Sequence, residues 1–395
     1  MARDYKLISA DAHLDLNPEA WTHRVPAKWR DRAPIRVEME DGSDGLSCDG
    51  STPETIGLTR NVGVPFEEIP FQISKFSNPV GNGSPQLRLE EQDKDRVDAE
   101  VMFTWADGLF RKAKDDELYL ALVHAYNEYL AEEYMSADPD RLIALGTIPT
   151  TGLEDAVAEL EHCAELGFKG VNLNQLPNGH GYPMPEDDRF WQTSLDLGIA
   201  LSVHGGGRFG GFGGGALGGG ARDPLFNYPN IRKSPQNHKA DALPLLFANQ
   251  GSTNGMGVMQ LAYAGVWDRF PDLRIYFAET MAGWLPFALF MLDDNYRRYQ
   301  PMMRHFWGLS DLERKPSEYM KTHSLWGTLY DPFGVQSRDA IGTENILFST
   351  DFPHAAGDWP NSWGIIDDMF QGIPEDDKYA MLAGNAIKYW HLDAK

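Results

Sequence analysis

Short apolar runs alternate along most of the chain with longer segments in which apolar residues recur every three or four positions. Runs of the first kind suit strands buried on both faces, those of the second suit helices with one buried stripe, and their alternation predicts repeated βα units around a parallel sheet. The predicted strands are 5–11, 99–104, 142–148, 170–174, 200–204, 274–279, 324–329 and 346–351. Helices are predicted over 115–135, 153–166, 284–299 and 374–390, among others. Eight strands are enough to close a barrel, so the chain is read as one α/β domain over residues 1–395.

Two regions break the rhythm. Residues 16–86 are rich in Pro, Gly, Ser and acidic side chains with weak periodicity, which predicts a long insertion after the first strand serving as a lid or dimer arm. Residues 205–220, directly after the fifth strand, are dominated by glycine. Their spacing is not that of a phosphate cradle between strand and helix, so a loop packed near a site is expected there.

Composition narrows the function. With 35 Lys+Arg against 58 Asp+Glu the chain carries a formal charge of −23, which opposes binding to nucleic acid or to anionic lipid. The two cysteines, Cys48 and Cys163, are too few for a disulfide framework and have no redox-pair spacing. The stretch 275–292 is interrupted by Glu279, Gly283 and Pro286, which disqualifies it as a membrane span, and the first residues lack the apolar stretch of a signal peptide. A cytoplasmic location is the expectation.

Candidate chemistry gathers at the ends of the predicted strands, where barrel enzymes place their active sites. The first strand runs into Asp11-Ala12-His13, whose alternate residues share a side, so that one carboxylate and one imidazole can reach a common cation. In the fifth, Ala200, Ser202 and His204 face inward and Ile199, Leu201 and Val203 outward. The eighth ends Ser349-Thr350-Asp351-Phe352-Pro353-His354, and a carboxylate closing so apolar a run needs a cation or several donors. His354 is either a proton donor in the pocket or a turn residue stacked on Trp359. Glu279, at the end of the sixth strand, shares parity with Ile275 and Phe277; it either enters the pocket or lies between strand and helix, where a lone carboxylate is poorly hosted, so the pocket is expected. Lys169 shares parity with outward Val171 and Leu173, which leaves no lysine to bridge a second metal. A single-ion centre is expected.

Together, Asp11-Ala12-His13, His204, the segment Glu279-Thr280-Met281-Ala282-Gly283-Trp284-Leu285-Pro286-Phe287 and Ser349-Thr350-Asp351-Phe352-Pro353-His354 resemble the amidohydrolase superfamily. Within it they are most similar to the amidohydrolase-2 branch, which includes aminocarboxymuconate-semialdehyde, resorcylate and carboxyvanillate decarboxylases. The resemblance implies a distorted (β/α)8 TIM barrel and one divalent ion, held by Asp11, His13, His204 and Asp351. Zinc is the first expectation for that ion, with Mn, Fe or Co as alternatives. It also implies a homodimer. Two departures stand out: the decarboxylases commonly carry His or Glu where this chain has Asp11, and a proton-transferring His near Glu279-Thr280. Either Glu279 replaces that imidazole or the reaction differs.

The expected chemistry is non-oxidative decarboxylation, or a related C–C cleavage, of a small aromatic or unsaturated carboxylic acid, with Asp351, Glu279 and His354 as catalytic groups. Trp105, Phe209, Phe212 and Trp359 would receive a flat ring and Arg208 its carboxylate, unless these side chains only pack the loops. One alternative is hydrolysis of an amide, lactone or activated C–C bond, with Asp351 taking a proton from water. The other is a non-catalytic barrel whose metal is structural and whose insertion binds a partner protein.

Overall fold

The computed structural model describes residues 3–56, 61–65, 67–69, 72–78, 80–104, 106–180, 182–204 and 254–392. Eight parallel strands form the wall: β1 (Ile8–Leu14), β2 (Ala99–Thr104), β3 in two pieces (Leu142–Ala144 and Gly146–Thr147), β4 (Gly170–Asn172), β5 (Ala200–Val203), β6 (Ile275–Phe277), β7 (Ser324–Thr328) and β8 (Ile346–Phe348). Each pairs with the next, and the ring is closed by the chain beyond β8. Asp351 N–H donates to the Asp11 carbonyl at 3.0 Å and His13 N–H to the Phe352 carbonyl at 2.7 Å.

Two apolar layers follow from the alternation of side chains along each strand. Ile8, Val101, Phe103, Ala200, Tyr276 and Leu347 pack together inside the ring. Leu201, Val203, Ile275, Phe277, Ile346 and Phe348 pack outward, in one core with the helices. The C-terminal segment plugs the amino end of the barrel, where Trp390 joins the inner layer and Asn385 donates to the Thr343 and Ile346 carbonyls. That leaves the carboxyl end for chemistry.

Four helices matter below: α1 (Pro85–Asp95), α2 (Asp116–Tyr129), α3 (Leu153–Glu165) and α4 (Leu285–Trp307). Ser84 caps α1 by accepting from Leu87 N–H, with Pro85 at the first position, and Asp115 caps α2 by accepting from Leu118 N–H. α1 was not visible in the apolar pattern because its buried residues are Arg88, Glu91, Gln92 and Asp95. The helix predicted over 374–390 is interrupted by a π-turn at Ala380–Gly384.

The insertion has structure of its own. Ile35–Glu38, Asp44–Ser47 and Glu54–Thr55 form a small antiparallel sheet. Beyond its second strand, Asp49 accepts two bonds from Arg32 at 2.8 Å and one from Lys114 N–H at 2.8 Å, fastening the insertion to the turn before α2. The glycine-rich residues 205–220 lie outside the described residues.

Candidate metal centre

β1 carries one residue too many for its neighbour. Ser9 pairs with Glu100 and Ala12 with Met102, so three steps on β1 match two on β2. This bulge reverses the alternation partway along the strand. Ile8 and Ala10 belong to the inner layer, Ala12 and Leu14 to the outer one, and Asp11 and His13 are thereby turned inward. Ser9 holds the bulge, its hydroxyl donating to the Asp11 carbonyl and accepting from Thr350 N–H beyond β8.

β5 delivers His204 on the parity expected for it. Glu279 arrives differently. Its partners in parity, Ile275 and Phe277, face outward, and strict alternation would send the carboxylate between strand and helix. β6 ends at Phe277, however, and Glu279 adopts a left-handed backbone with φ 53°, which brings Oε2 to 3.9 Å from His204 Nε2. Asp351 is left-handed too, at φ 54°. Such conformations are uncommon for residues other than glycine, and here two of them aim carboxylates at one point.

One donor atom from each of Asp11, His13, His204 and Asp351 lies within 4.8 Å of the others. His13 Nε2 is 2.9 Å from Asp351 Oδ1 and 3.7 Å from Asp11 Oδ1, and His204 Nε2 is 3.2 Å from Asp11 Oδ2. All four residues are buried, Asp11 and His13 completely. Both carboxylate oxygens of Asp11 are shielded from solvent and accept no hydrogen bond. A sealed carboxylate without donors is costly unless a cation meets it, and imidazole nitrogen with carboxylate oxygen is a donor set that divalent transition metals accept. The residues fit an ion.

The pocket groups have strongly shifted proton affinities. Burial, reinforced by His354, lowers His13; burial also works against the charged form of His204, but Asp11 outweighs it and raises that imidazole. Burial pushes Glu279 up to about 7, opposed by His204 and assisted by Asp351 and Asp11. Asp351 is held below the usual carboxylate range, since bonds from His13 and His354 outweigh its burial. His354 is raised to about 10 against burial by Asp15 and Asp351, from which its Nε2 and Nδ1 each stand 3.4 Å. Its ring stacks on His13 at 3.8 Å rather than on Trp359.

Trp359 is engaged elsewhere: its indole N–H donates to the Glu91 carbonyl on α1 and its ring lies 5.3 Å from Phe352 and under Lys94. Trp105, Arg208, Phe209 and Phe212 lie outside the described residues. Two residues escaped the sequence reading. Asp15 continues the alternation of Asp11 and His13, a signal present in the sequence. Arg88 gave none. From α1 it donates to the carbonyls of His13 at 3.0 Å and Phe352 at 3.3 Å, bracing β1 against the turn that carries Asp351. Glu100 balances it at 2.6 Å and also accepts from Gln92.

A closed parallel α/β barrel with two imidazoles and two carboxylates converging at the carboxyl ends of β1, β5 and β8 defines the class: a barrel with the donor set of a single-ion centre. The family model described as amidohydrolase matches residues 95–392, and the chain belongs to that family. The chain is 23% identical over 313 residues to 2-amino-3-carboxymuconate-6-semialdehyde decarboxylase of Dictyostelium discoideum, covering 78% of this chain and 77% of that one. It is 27% identical over 280 residues to gamma-resorcylate decarboxylase of Polaromonas sp., covering 68% and 75%. Among solved structures, 5-carboxyvanillate decarboxylase of Novosphingobium aromaticivorans, complexed with manganese and 4-hydroxy-3-methoxy-5-nitrobenzoic acid, superposes with a TM-score of 0.64 at 17% identity over 98% and 96% of the two chains.

Proposed function

We propose that this protein is a mononuclear metal-dependent decarboxylase of a small aromatic or unsaturated carboxylic acid. The observation that carries the reading is the sealed Asp11 carboxylate, which accepts no hydrogen bond and stands among His13, His204 and Asp351. Those four residues would hold the ion, which supplies a Lewis-acid charge to anchor substrate oxygens. The donor set admits several divalent ions; zinc is our first choice, and manganese is the metal named with the carboxyvanillate relative.

The chain's own residues manage the proton. In decarboxylation the C–C bond breaks, carbon dioxide departs, and the electron pair left on the ring carbon must collect a proton. Glu279, raised to about 7, holds one near neutrality and stands beside His204 with its side chain partly exposed. It takes the place of the imidazole usual in the resembling enzymes, and water reprotonates it after turnover. His354, kept protonated by Asp15 and Asp351, offers the pocket a fixed positive charge toward an anionic substrate.

Arg208, four residues beyond His204, is our candidate for the substrate carboxylate, with Trp105 and Phe212 for its ring. The insertion at 16–86 is assigned as a lid or dimer arm, and the protein as a cytoplasmic homodimer. Supporting the dimer, α4 exposes Phe287, Phe290, Phe306 and Trp307. Among the described residues no helix is long and apolar enough to cross a membrane.

The test supplies metal-loaded protein with hydroxybenzoates on one side and lactones or amides on the other, following carbon dioxide and acid release. Carbon dioxide from the first set alone supports the proposal; acid release from the second set alone overturns it. In parallel, His204→Ala is expected to lose bound metal and turnover together.

A further inference from the structure

Outside the barrel wall, α2 and α3 bring together a second group of metal-ligating side chains. His124 comes from α2, Glu159 and His162 from α3, and one donor atom of each lies within 4.8 Å of the others. Residues three apart share a helix face, so Glu159 and His162 project side by side toward α2.

Glu159 is the anchor. It is largely buried, and its two oxygens have separate neighbours: Oε1 accepts from Asn127 Nδ2 at 2.7 Å, and Oε2 lies 3.2 Å from His124 Nδ1. Asn127 is itself fixed, because its amide also donates to the Thr147 carbonyl and its oxygen accepts from Thr147 N–H. The carboxylate is therefore oriented from behind by a sealed amide, as outer groups orient metal ligands. The rings of His124 and His162 are stacked at 4.0 Å and 18°. Glu128, one turn after His124 on α2, stands 3.7 Å from His124 Nε2.

An ion pair between His124 and Glu159 explains part of this arrangement. It leaves His162 Nε2 unexplained, since that atom is shielded from solvent and has no hydrogen-bond partner. We propose that His124, Glu159 and His162 form a second transition-metal site, selective for Zn²⁺-type ions, that clamps α2 to α3. Two imidazoles and one carboxylate are a common three-ligand set for zinc, and Glu128 or water completes the tetrahedron. His124 is half-exposed, so it can rotate out of the stack to aim a nitrogen at the point shared with Glu159 and His162. The site neither uses nor requires any residue of the barrel mouth.

The experiment titrates full-length protein with Zn²⁺ alone, counting tightly bound metal after gel filtration, and repeats the count with Co²⁺ while recording visible absorption. Wild type is expected to bind one equivalent more than His124→Ala/His162→Ala, with a cobalt band that the double variant lacks. The single variant His124→Ala changes an exposed side chain and spares the fold; it should weaken the extra equivalent at least about tenfold. Turnover is expected to stay unchanged in both, and His204→Ala should keep the extra equivalent. Equal metal content and equal affinity in wild type and His124→Ala overturn the proposal, whatever becomes of the catalytic reading.

Discussion

Two buried charged assemblies adjoin through β1, where Arg88 donates to the His13 carbonyl, and are built by opposite rules. In the first, Asp11, His13, His204 and Asp351 converge with a carboxylate that accepts no hydrogen bond. In the second, Arg88 and Glu100 neutralise one another, and the guanidinium also satisfies the carbonyls of His13 and Phe352. The first is the proposed seat of a cation; the second carries its own. A partner lost from the self-contained assembly leaves a bare charge in the interior, whereas a partner lost from the open one removes a binding capacity that folding never used.

The sharpest test pairs Asp11→Asn with Arg88→Met. Asp11→Asn should abolish high-affinity metal binding and reduce turnover to background, while the thermal midpoint of the metal-free protein moves little. Elemental analysis and calorimetry on the same sample decide it, and a large destabilisation would dissolve the contrast. Next in size, Glu279→Gln should retain the metal and lower kcat by about 10²- to 10⁴-fold, as expected for a lost proton-transfer group. Metal loss in that variant would instead enrol Glu279 as a ligand.

Arg88→Met should cost about 3–5 kcal/mol of stability in denaturant titration, the usual penalty for stranding one member of a buried pair. Its metal affinity should fall as well, since β1 and the Asp351 turn lose their brace. A near-neutral result would show that Glu100 escapes to solvent or protonates. The smallest effect belongs to the pair that fastens the insertion, a buried Asp49 met by a partly exposed Arg32. Bonds from Arg32 hold Asp49 down at about 2, below its unfolded value near 3.8. Its contribution is therefore present above pH 4 and is lost as pH falls toward 2. Asp49→Asn should flatten the acid limb of the stability profile slightly, and an unchanged limb would show that the pair contributes nothing.

The wall of the barrel was legible because parallel strands covered on both faces are written as apolar runs, and all eight appear where such runs stand. Asp11, His13, His204 and Asp351 were legible as well, each being a polar residue at the end of such a run. α1 was invisible for the converse reason: it buries Arg88, Glu91, Gln92 and Asp95, which read as a solvated face. The insertion's small sheet was hidden because its strands are only two to four residues long and the outer two are largely exposed. Parity alone does not deliver the orientation of Glu279, since a single left-handed residue undoes such an argument; only the cost of a lone carboxylate between strand and helix pointed to the pocket.

The extra residue in β1 makes the open cluster depend on counting. Pairing the same sequence with β2 residue for residue, without the bulge, would leave the strand as apolar as before and swing Asp11 and His13 toward the helices. That register would keep every proposed ligand in the sequence and have none of those from β1 in place. Comparisons among related chains at this strand must therefore match its register before they match its letters.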